Sequence, residues 1–419
     1  MKRIEKLKSS SLSRGLFAAK SALRMVPSFL SGEENPRELF TSLIGKSIEQ
    51  FVNEVGELKG SLLKAAQILS LYGEYYLPAE INEVLKKVQS QGHFLGWDKI
   101  SPLISDRLKT ELDIIDTPIA AASIGQVHRA TIRATNEKVV LKIQYPGIRK
   151  AIDMDIFMIK SLLGMGKILP KKMNMDGIYE EIRRVLIEEM DYISEAKKHA
   201  EYKALMENVP GIYVPKVYRE FSDEKIVVSE YIDGESLSDL DFETLPQEER
   251  NQIAKTLFSL FFREIYRGNL IQTDSHAGNY LYYQKNVVLI DFGATLYYDE
   301  TSLSRYRDLI RFVFLKDRKS FFSVLNSIAT DVKINEDLLW EYCLLASGPL
   351  HSRDYNWATT TLPDDISPKA IELVKTSSIS TPPHEFIFLD RKLLGLFSLL
   401  RKLKARFDVK AEVDEFLNV

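Results

Sequence analysis

Gln272-Thr273-Asp274-Ser275-His276-Ala277-Gly278-Asn279 and, a short apolar run later, Leu289-Ile290-Asp291-Phe292-Gly293 are the residues on which the reading of this chain turns. Asp274 and Asn279 stand five apart, and Asp291 follows Asn279 by twelve. A hydroxyl nucleophile needs a carboxylate within hydrogen-bond reach, and a triphosphate needs Mg²⁺ held by hard oxygen donors. The spacing makes Asp274 the candidate base and Asn279 and Asp291 the candidate metal ligands.

The first interval is the Asp-x-x-x-x-Asn of a kinase catalytic loop, and the second segment is its Asp-Phe-Gly signature. An isolated Asp-Phe-Gly carries little information. A strand before it and a correctly spaced Asp/Asn pair make it specific. Upstream, Val139-Val140-Leu141-Lys142 is an apolar strand ending in one charge, as expected of a lysine that neutralises nucleotide phosphates. Taken alone, Lys142 would read as an edge-strand lysine with its head in water. A buried lysine needs an acid, and Glu195, in Glu189-Met190-Asp191-Tyr192-Ile193-Ser194-Glu195-Ala196, is the candidate partner.

One strand earlier, Ala120-Ala121-Ala122-Ser123-Ile124-Gly125-Gln126-Val127-His128 occupies the place of a phosphate-binding loop. Glycines normally let backbone N–H groups approach the phosphates there. Only Gly125 is a glycine here, so the nucleotide geometry is expected to be altered. The nucleotide-binding candidates are Ala120, Ala121, Ala122, Ser123 and Lys142, with Glu230 and Ile232 at the end of a later strand. His276 reads as a loop histidine rather than a ligand.

Around these motifs the chain falls into three zones. Residues 37 to about 90 show helical spacing of Leu58, Leu62, Leu63, Ala66, Ile68, Leu69 and Leu77, and Pro78 opens a further helix. Ala130–Arg133, Val139–Gln144 and Ile226–Tyr231 read as strands, with helices over Ile152–Leu169 and Ile178–Leu205 inserted among them. Arg250–Tyr266 is an apolar helix, short strands surround the catalytic segment, and everything after Thr301 reads as helical. The expected class is α+β: a two-lobed, protein-kinase-like fold with a helical N-terminal extension and a helix-rich C-lobe. The expected divisions are 1–110 for the extension, 111–235 for a strand-bearing lobe with inserted helices, and 236–419 for a helical lobe.

Composition sets limits but names no function. The 419 residues are 45% hydrophobic and 27% charged, ordinary for a globular chain. A net charge of -3 gives no general attraction for nucleic acid. The single cysteine, Cys343, excludes an internal disulfide and a cysteine-rich zinc site, and suits a reducing cytoplasmic compartment. No apolar run is long enough to span a bilayer. At the N-terminus, Lys2, Arg3, Lys6, Lys8, Arg14, Lys20 and Arg24 interleave with Leu7, Leu12, Leu16, Phe17, Leu23 and Met25. Such a segment reads as a surface helix or a peripheral contact with an anionic membrane, and less well as a transit peptide.

With these residues in view, the chain resembles the UbiB/ADCK family of atypical kinase-like proteins, most closely its coenzyme Q branch. The resemblance covers nearly all of the chain. It is carried by Lys64-Ala65-Ala66-Gln67, similar to the family's Lys-x-Gly-Gln motif; by the alanine-rich Ala120–His128; by Lys142-Ile143-Gln144-Tyr145-Pro146-Gly147; by Glu189-Met190-Asp191; by Gln272-Thr273-Asp274; and by Asp291-Phe292-Gly293-Ala294-Thr295. Leu403-Lys404-Ala405-Arg406-Phe407 is also similar. Ala66 departs from the family's glycine, and no histidine precedes Asp274 by two residues as in ordinary kinases.

The resemblance implies an ATP- or ADP-binding, Mg²⁺-dependent kinase or ATPase that supports ubiquinone biosynthesis. It would act on or with lipid-linked quinone precursors or quinone-biosynthesis enzymes at a membrane surface. Lys64 and Gln67 on the extension would gate the nucleotide site, with Glu189 and Asp191 as the family's acidic motif. Two alternatives stand beside it: a catalytically weak scaffold for quinone enzymes, and a small-molecule phosphotransferase. Oligomeric state is not legible.

Overall fold

The computed structural model of the chain describes residues 2–4, 62, 64–66, 68–69, 93–165, 175–328, 334–376 and 384–417. Gln67, most of the expected helical extension and the basic segment beyond Ile4 lie outside the described residues. Leu62, Lys64, Ala65, Ala66, Ile68 and Leu69 are helical and buried. Lys2–Ile4, expected to open an amphipathic helix, is instead extended and pairs in parallel with His93–Leu95. A ready partner strand outweighs the weak local preference of three residues.

Two compact units divide the chain: Met1–Ala196 with Val217–Tyr231, and Lys197–Lys216 with Ile232–Val419. The division falls within the helix Tyr192–Leu205.

The first unit is built on an antiparallel sheet of Leu112–Ala121, Gly125–Ile132, Lys138–Gln144 and Ile226–Glu230, in that order. Strand side chains alternate between faces, so Val139, Leu141 and Ile143 are fully buried on one face while Lys142 lies on the other. Asn136 turns the chain between two of the strands at a φ of 60°, a conformation asparagine tolerates. The alanine-rich segment proves to be less a loop than a strand end. Ala120 and Ala121 close Leu112–Ala121, and Gly125–His128 already belongs to the next strand. Pairing of Ala120 with Val127 and of Ala121 with Gln126 carries the two strands to this point, leaving only Ala122–Ile124 for the turn.

The helix expected over Ile178–Leu205 is two, Met175–Glu189 and Tyr192–Leu205. Asp191 explains the break: its Oδ1 accepts the Ser194 N–H at 2.9 Å, an N-cap that starts a new helix.

A buried polar cluster docks His93–Leu95 onto the sheet. The Gln126 amide imitates a strand backbone, accepting the Leu95 N–H at 2.9 Å and donating to the Leu95 carbonyl at 3.2 Å. Its second amide hydrogen points to His128 Nε2 at 2.8 Å, so His128 carries its proton on Nδ1 and donates to the Ile115 carbonyl at 2.8 Å. Only neutral histidine fits this chain of bonds, and burial pushes the His128 pKa below its ordinary value, with the backbone bond and the Asp116 charge opposing.

The second unit centres on the helix Gln247–Arg267, whose Phe258, Phe261 and Phe262 are almost wholly buried in a core shared with Trp357, Phe397 and Leu400. Tyr280–Tyr283 and Asn286–Leu289 form a hairpin closed by Gln284 and Lys285, both at positive φ as a two-residue turn requires. Leu270–Gln272 pairs with Thr295–Tyr297, bringing the chain on either side of the candidate segment Asp274–Asp291 together. The region after Thr301 is not wholly helical: Tyr355–Asn356 pairs with Arg406–Phe407. Two-residue strands are too short to leave a periodic signature in sequence.

Gly125→Ala is expected to destabilise the first unit by roughly 1–3 kcal/mol, because its Cβ would stand 2.5 Å from the Ile143 carbonyl oxygen and 3.0 Å from the Tyr192 hydroxyl. Denaturant melts of the two proteins check this. For His128, the unfolded chain takes up a proton near pH 6.5 while the folded site resists it, so stability is complete above that pH and declines below it. The melting temperature between pH 7.5 and 5.5 should fall more steeply in the wild type than in His128→Gln; parallel profiles would refute the assignment.

Candidate active site

Each unit holds its own share of the candidate side chains. In the first, Lys142 Nζ lies 2.7 Å from Glu195 Oε1. Glu195 follows the Asp191 cap by four residues, one turn into the new helix, so the cap fixes where that carboxylate stands. The Lys142 ammonium also sits 5.5 Å from the centre of the Tyr192 ring, a cation–π contact that shares its desolvation cost. Tyr192 is fully buried and was not anticipated from sequence. Gln144, two residues on and on the same face, donates to the Met190 carbonyl at 3.0 Å, tying the strand to the helix break.

A second buried ion pair joins Lys64 Nζ to Glu189 Oε1 at 2.6 Å. It links the described part of the N-terminal helix to the end of Met175–Glu189. Asp191 is exposed and serves as the helix cap. Ala122 and Ser123 lie in the strand turn, Ala120 and Ala121 in the strand before it, and Glu230 closes the strand Ile226–Glu230 opposite Val139.

In the second unit, the segment from Gln272 to Asn279 is held by its own side chains. The Asp274 carbonyl accepts from Gln272 Nε2 at 2.7 Å and from Asn279 Nδ2 at 3.1 Å. This use of the Asn279 amide nitrogen leaves its oxygen as the group able to meet a cation. Asn279 ends a short 3₁₀ turn capped by His276, whose Nδ1 accepts the Gly278 N–H. The Asn279 carbonyl accepts the Ile290 N–H at 3.1 Å, placing Asn279 beside the segment that carries Asp291. Asp291 Oδ1 accepts the Gly293 N–H at 2.9 Å. Phe292 is buried, stacked on His199 with ring centres 4.2 Å apart and packed against Tyr202.

The Asp274 side chain has a partner that sequence reading missed. Arg391 Nη2 donates to Asp274 Oδ1 at 3.1 Å from a helix, His384–Lys402, more than a hundred residues on. The available signal was the charged triplet Asp390-Arg391-Lys392 inside a mostly apolar helical run.

Chemically, the first unit offers a charge-balanced ammonium suited to phosphate oxygens. The second offers a carboxylate at a fixed loop and two hard oxygen donors, an amide and a carboxylate, of the kind Mg²⁺ takes. Among the described residues no group of three or more His, Cys, Asp and Glu gathers as a metal cage. A two-residue oxygen site fits Mg²⁺, which keeps waters and shares substrate phosphates rather than demanding a protein cage. Also among the described residues, no helix is long and apolar enough to cross a membrane.

The chain is similar to several known proteins. The model of the ABC1 atypical kinase-like domain matches residues 87–325. Atypical kinase COQ8, mitochondrial, of Saccharomyces cerevisiae is 30% identical over 377 residues, which span 87% of this chain and 74% of the yeast protein. Atypical kinase COQ8B, mitochondrial, of Danio rerio is 29% identical over 377 residues, 86% of this chain and 59% of that protein. Among solved structures, Rv3197 of Mycobacterium tuberculosis, in complex with erythromycin, matches with a TM-score of 0.59 at 23% identity, covering 91% of this chain and 98% of that one. That likeness carries the fold, an α+β protein-kinase-like one. The chain belongs to the ABC1 atypical kinase-like family.

Proposed function

We propose that this chain is an atypical kinase or ATPase that binds ATP with Mg²⁺ and supports ubiquinone biosynthesis, working on or with lipid-linked quinone precursors at a membrane surface. The observation that carries the reading is the Lys142–Glu195 pair at 2.7 Å. Removing both groups from water is costly, and the fold would be as well served by two apolar side chains. A phosphate-bearing ligand gives such a lysine a use.

In this reading Lys142 contacts the nucleotide phosphates and Glu195, with the Tyr192 ring, keeps its ammonium aimed. Ala120–Ser123, Glu230 and Ile232 line the nucleotide. Asn279 and Asp291 hold the metal, which when bound neutralises charge on the phosphate oxygens. Asp274 orients the attacking hydroxyl or water. The Lys64–Glu189 pair anchors the N-terminal extension, residues 1–110, and Lys64 and Gln67 gate access. Relatives named as atypical kinases support the assignment of reaction class.

One observation favours a second reading. The Asp274 carboxylate is already ion-paired to Arg391, which occupies one of its oxygens. That suits slow hydrolysis, or a nucleotide-binding scaffold, better than fast transfer to an alcohol.

Hydrolysis assays on the purified chain, with and without anionic vesicles and a phenolic quinone-precursor mimic, separate these. Mg²⁺-dependent turnover should be stimulated by vesicles and fall about 100-fold or more in Asp291→Asn and Asp274→Asn, the loss typical of removing one group that stabilises the transition state. Tight nucleotide binding with the same negligible turnover in wild type and variants would establish the scaffold instead. In a companion measurement, Lys142→Met should weaken nucleotide binding by about 10-fold or more, the loss of one charge-assisted contact; unchanged affinity would remove Lys142 from the nucleotide site.

A further inference from the structure

Asp274 is reached through Gln272, and both backbone polar groups of Gln272 meet charged side chains. Its N–H donates to Glu264 Oε1 at 3.0 Å, and its carbonyl accepts from Lys392 Nζ at 2.6 Å. Glu264 and Lys392 also pair with each other, and both are almost completely buried. The Tyr202 hydroxyl donates to Glu264 at 2.6 Å. From Gln272 the chain of contacts continues through Nε2 to the Asp274 carbonyl.

The helix bearing Lys392 touches the same segment at two further points. Arg391 reaches the Asp274 carboxylate. One turn on, Gly395 lies so close to Ser275 that a Cβ there would collide with the serine hydroxyl. Burial pushes the Lys392 pKa below its ordinary value, with Glu264 opposing. A buried ion pair is a poor source of stability, since apolar residues of like volume often serve as well. This one holds the backbone N–H and carbonyl of a single residue, Gln272, two before Asp274.

We propose that Glu264 and Lys392 are positioning residues: together they grip the Gln272 peptide and thereby set the Asp274 carboxylate for reaction. The proposal rests on the catalytic reading above, in which Asp274 orients the attacking group. Neither residue touches substrate. Both act through the backbone, so their loss should lower turnover at saturating nucleotide and leave nucleotide affinity alone.

Lys392→Met alone strands the Glu264 charge and is expected to weaken the fold. The informative protein is therefore the double variant Glu264→Gln/Lys392→Met. It removes both charges while keeping an acceptor for Tyr202 and Gln272, and the methionine lies beside apolar Leu257, Phe261 and Leu396. Because the Gln272 carbonyl loses its lysine donor, the double variant's melting temperature should fall by several degrees while it stays folded at assay temperature. Its kcat for Mg²⁺-dependent hydrolysis should fall by about 100-fold, the scale of a small misplacement of a reacting group, with nucleotide Kd unchanged. Hydrogen exchange at Gln272–Asn279 should quicken by about 10-fold while exchange in the first unit's sheet stays constant. A double variant that keeps both wild-type turnover and wild-type loop protection would reduce the pair to a structural ion pair and overturn the proposal. Should the wild type itself prove unable to hydrolyse nucleotide, the catalytic reading falls, and exchange decides the grip alone: faster loop exchange supports it, unchanged exchange overturns it.

Discussion

Charge removed from water must be matched in place, and that constraint organises both units of this protein. Among the described residues Lys64, Lys142 and Lys392 are buried or nearly so and each faces a buried glutamate, while buried Lys198 lies over the Tyr297 ring. An unmatched buried charge costs several kcal/mol, comparable to the whole stability of a domain. Each pair therefore dictates where two separate elements meet: helix to helix for Lys64 and Glu189, strand to helix for Lys142 and Glu195, helix to helix for Lys392 and Glu264. The apolar cores supply the driving force for collapse. The ion pairs choose which collapsed arrangement is accepted.

Local devices convert that constraint into precise placement. Asp191 ends one helix and caps the next, so Glu195 stands one turn beyond a fixed start. Strand alternation sends Val139, Leu141 and Ile143 into the core and Lys142 to the opposite face. Gln126 replaces a missing strand neighbour with its own amide, and His128 completes the pattern. None of these needs a large area of contact. Each satisfies hydrogen-bonding groups that would otherwise be stranded away from water.

This division between local and distant determinants explains what was legible in the sequence. Asp274, Asn279 and Asp291 lie within one short stretch, and their geometry follows from a 3₁₀ turn and a two-residue hairpin encoded by the same residues. The α+β class, three strands of the sheet and the alternation around Lys142 were readable for the same reason, whereas the fourth strand, Leu112–Ala121, was not. Arg391 was not, because its partnership with Asp274 spans 117 positions and leaves no periodic mark. The alanine-rich turn was misjudged in form because cross-strand pairing of Ala120 with Val127 and Ala121 with Gln126 extends it against alanine's own helical preference. The short strands at Tyr355–Asn356 and Arg406–Phe407 exist only through each other.

The contact between Arg391 and Asp274 bears on which reaction the fold can favour. An ordinary alcohol surrenders its proton only late in phosphoryl transfer, and a carboxylate that is to receive it gains from being unencumbered. Here a guanidinium shares that carboxylate, and a salt-bridged glutamate and lysine hold the preceding peptide. Such a carboxylate is well placed, with one oxygen already engaged. An acceptor already inclined to ionise, such as a phenol, or a water molecule that needs orientation more than deprotonation, asks least of it. The same arrangement that would handicap a protein kinase is therefore compatible with slow hydrolysis or with transfer to a phenolic acceptor. Precision of placement would then be the larger part of what this site contributes to catalysis.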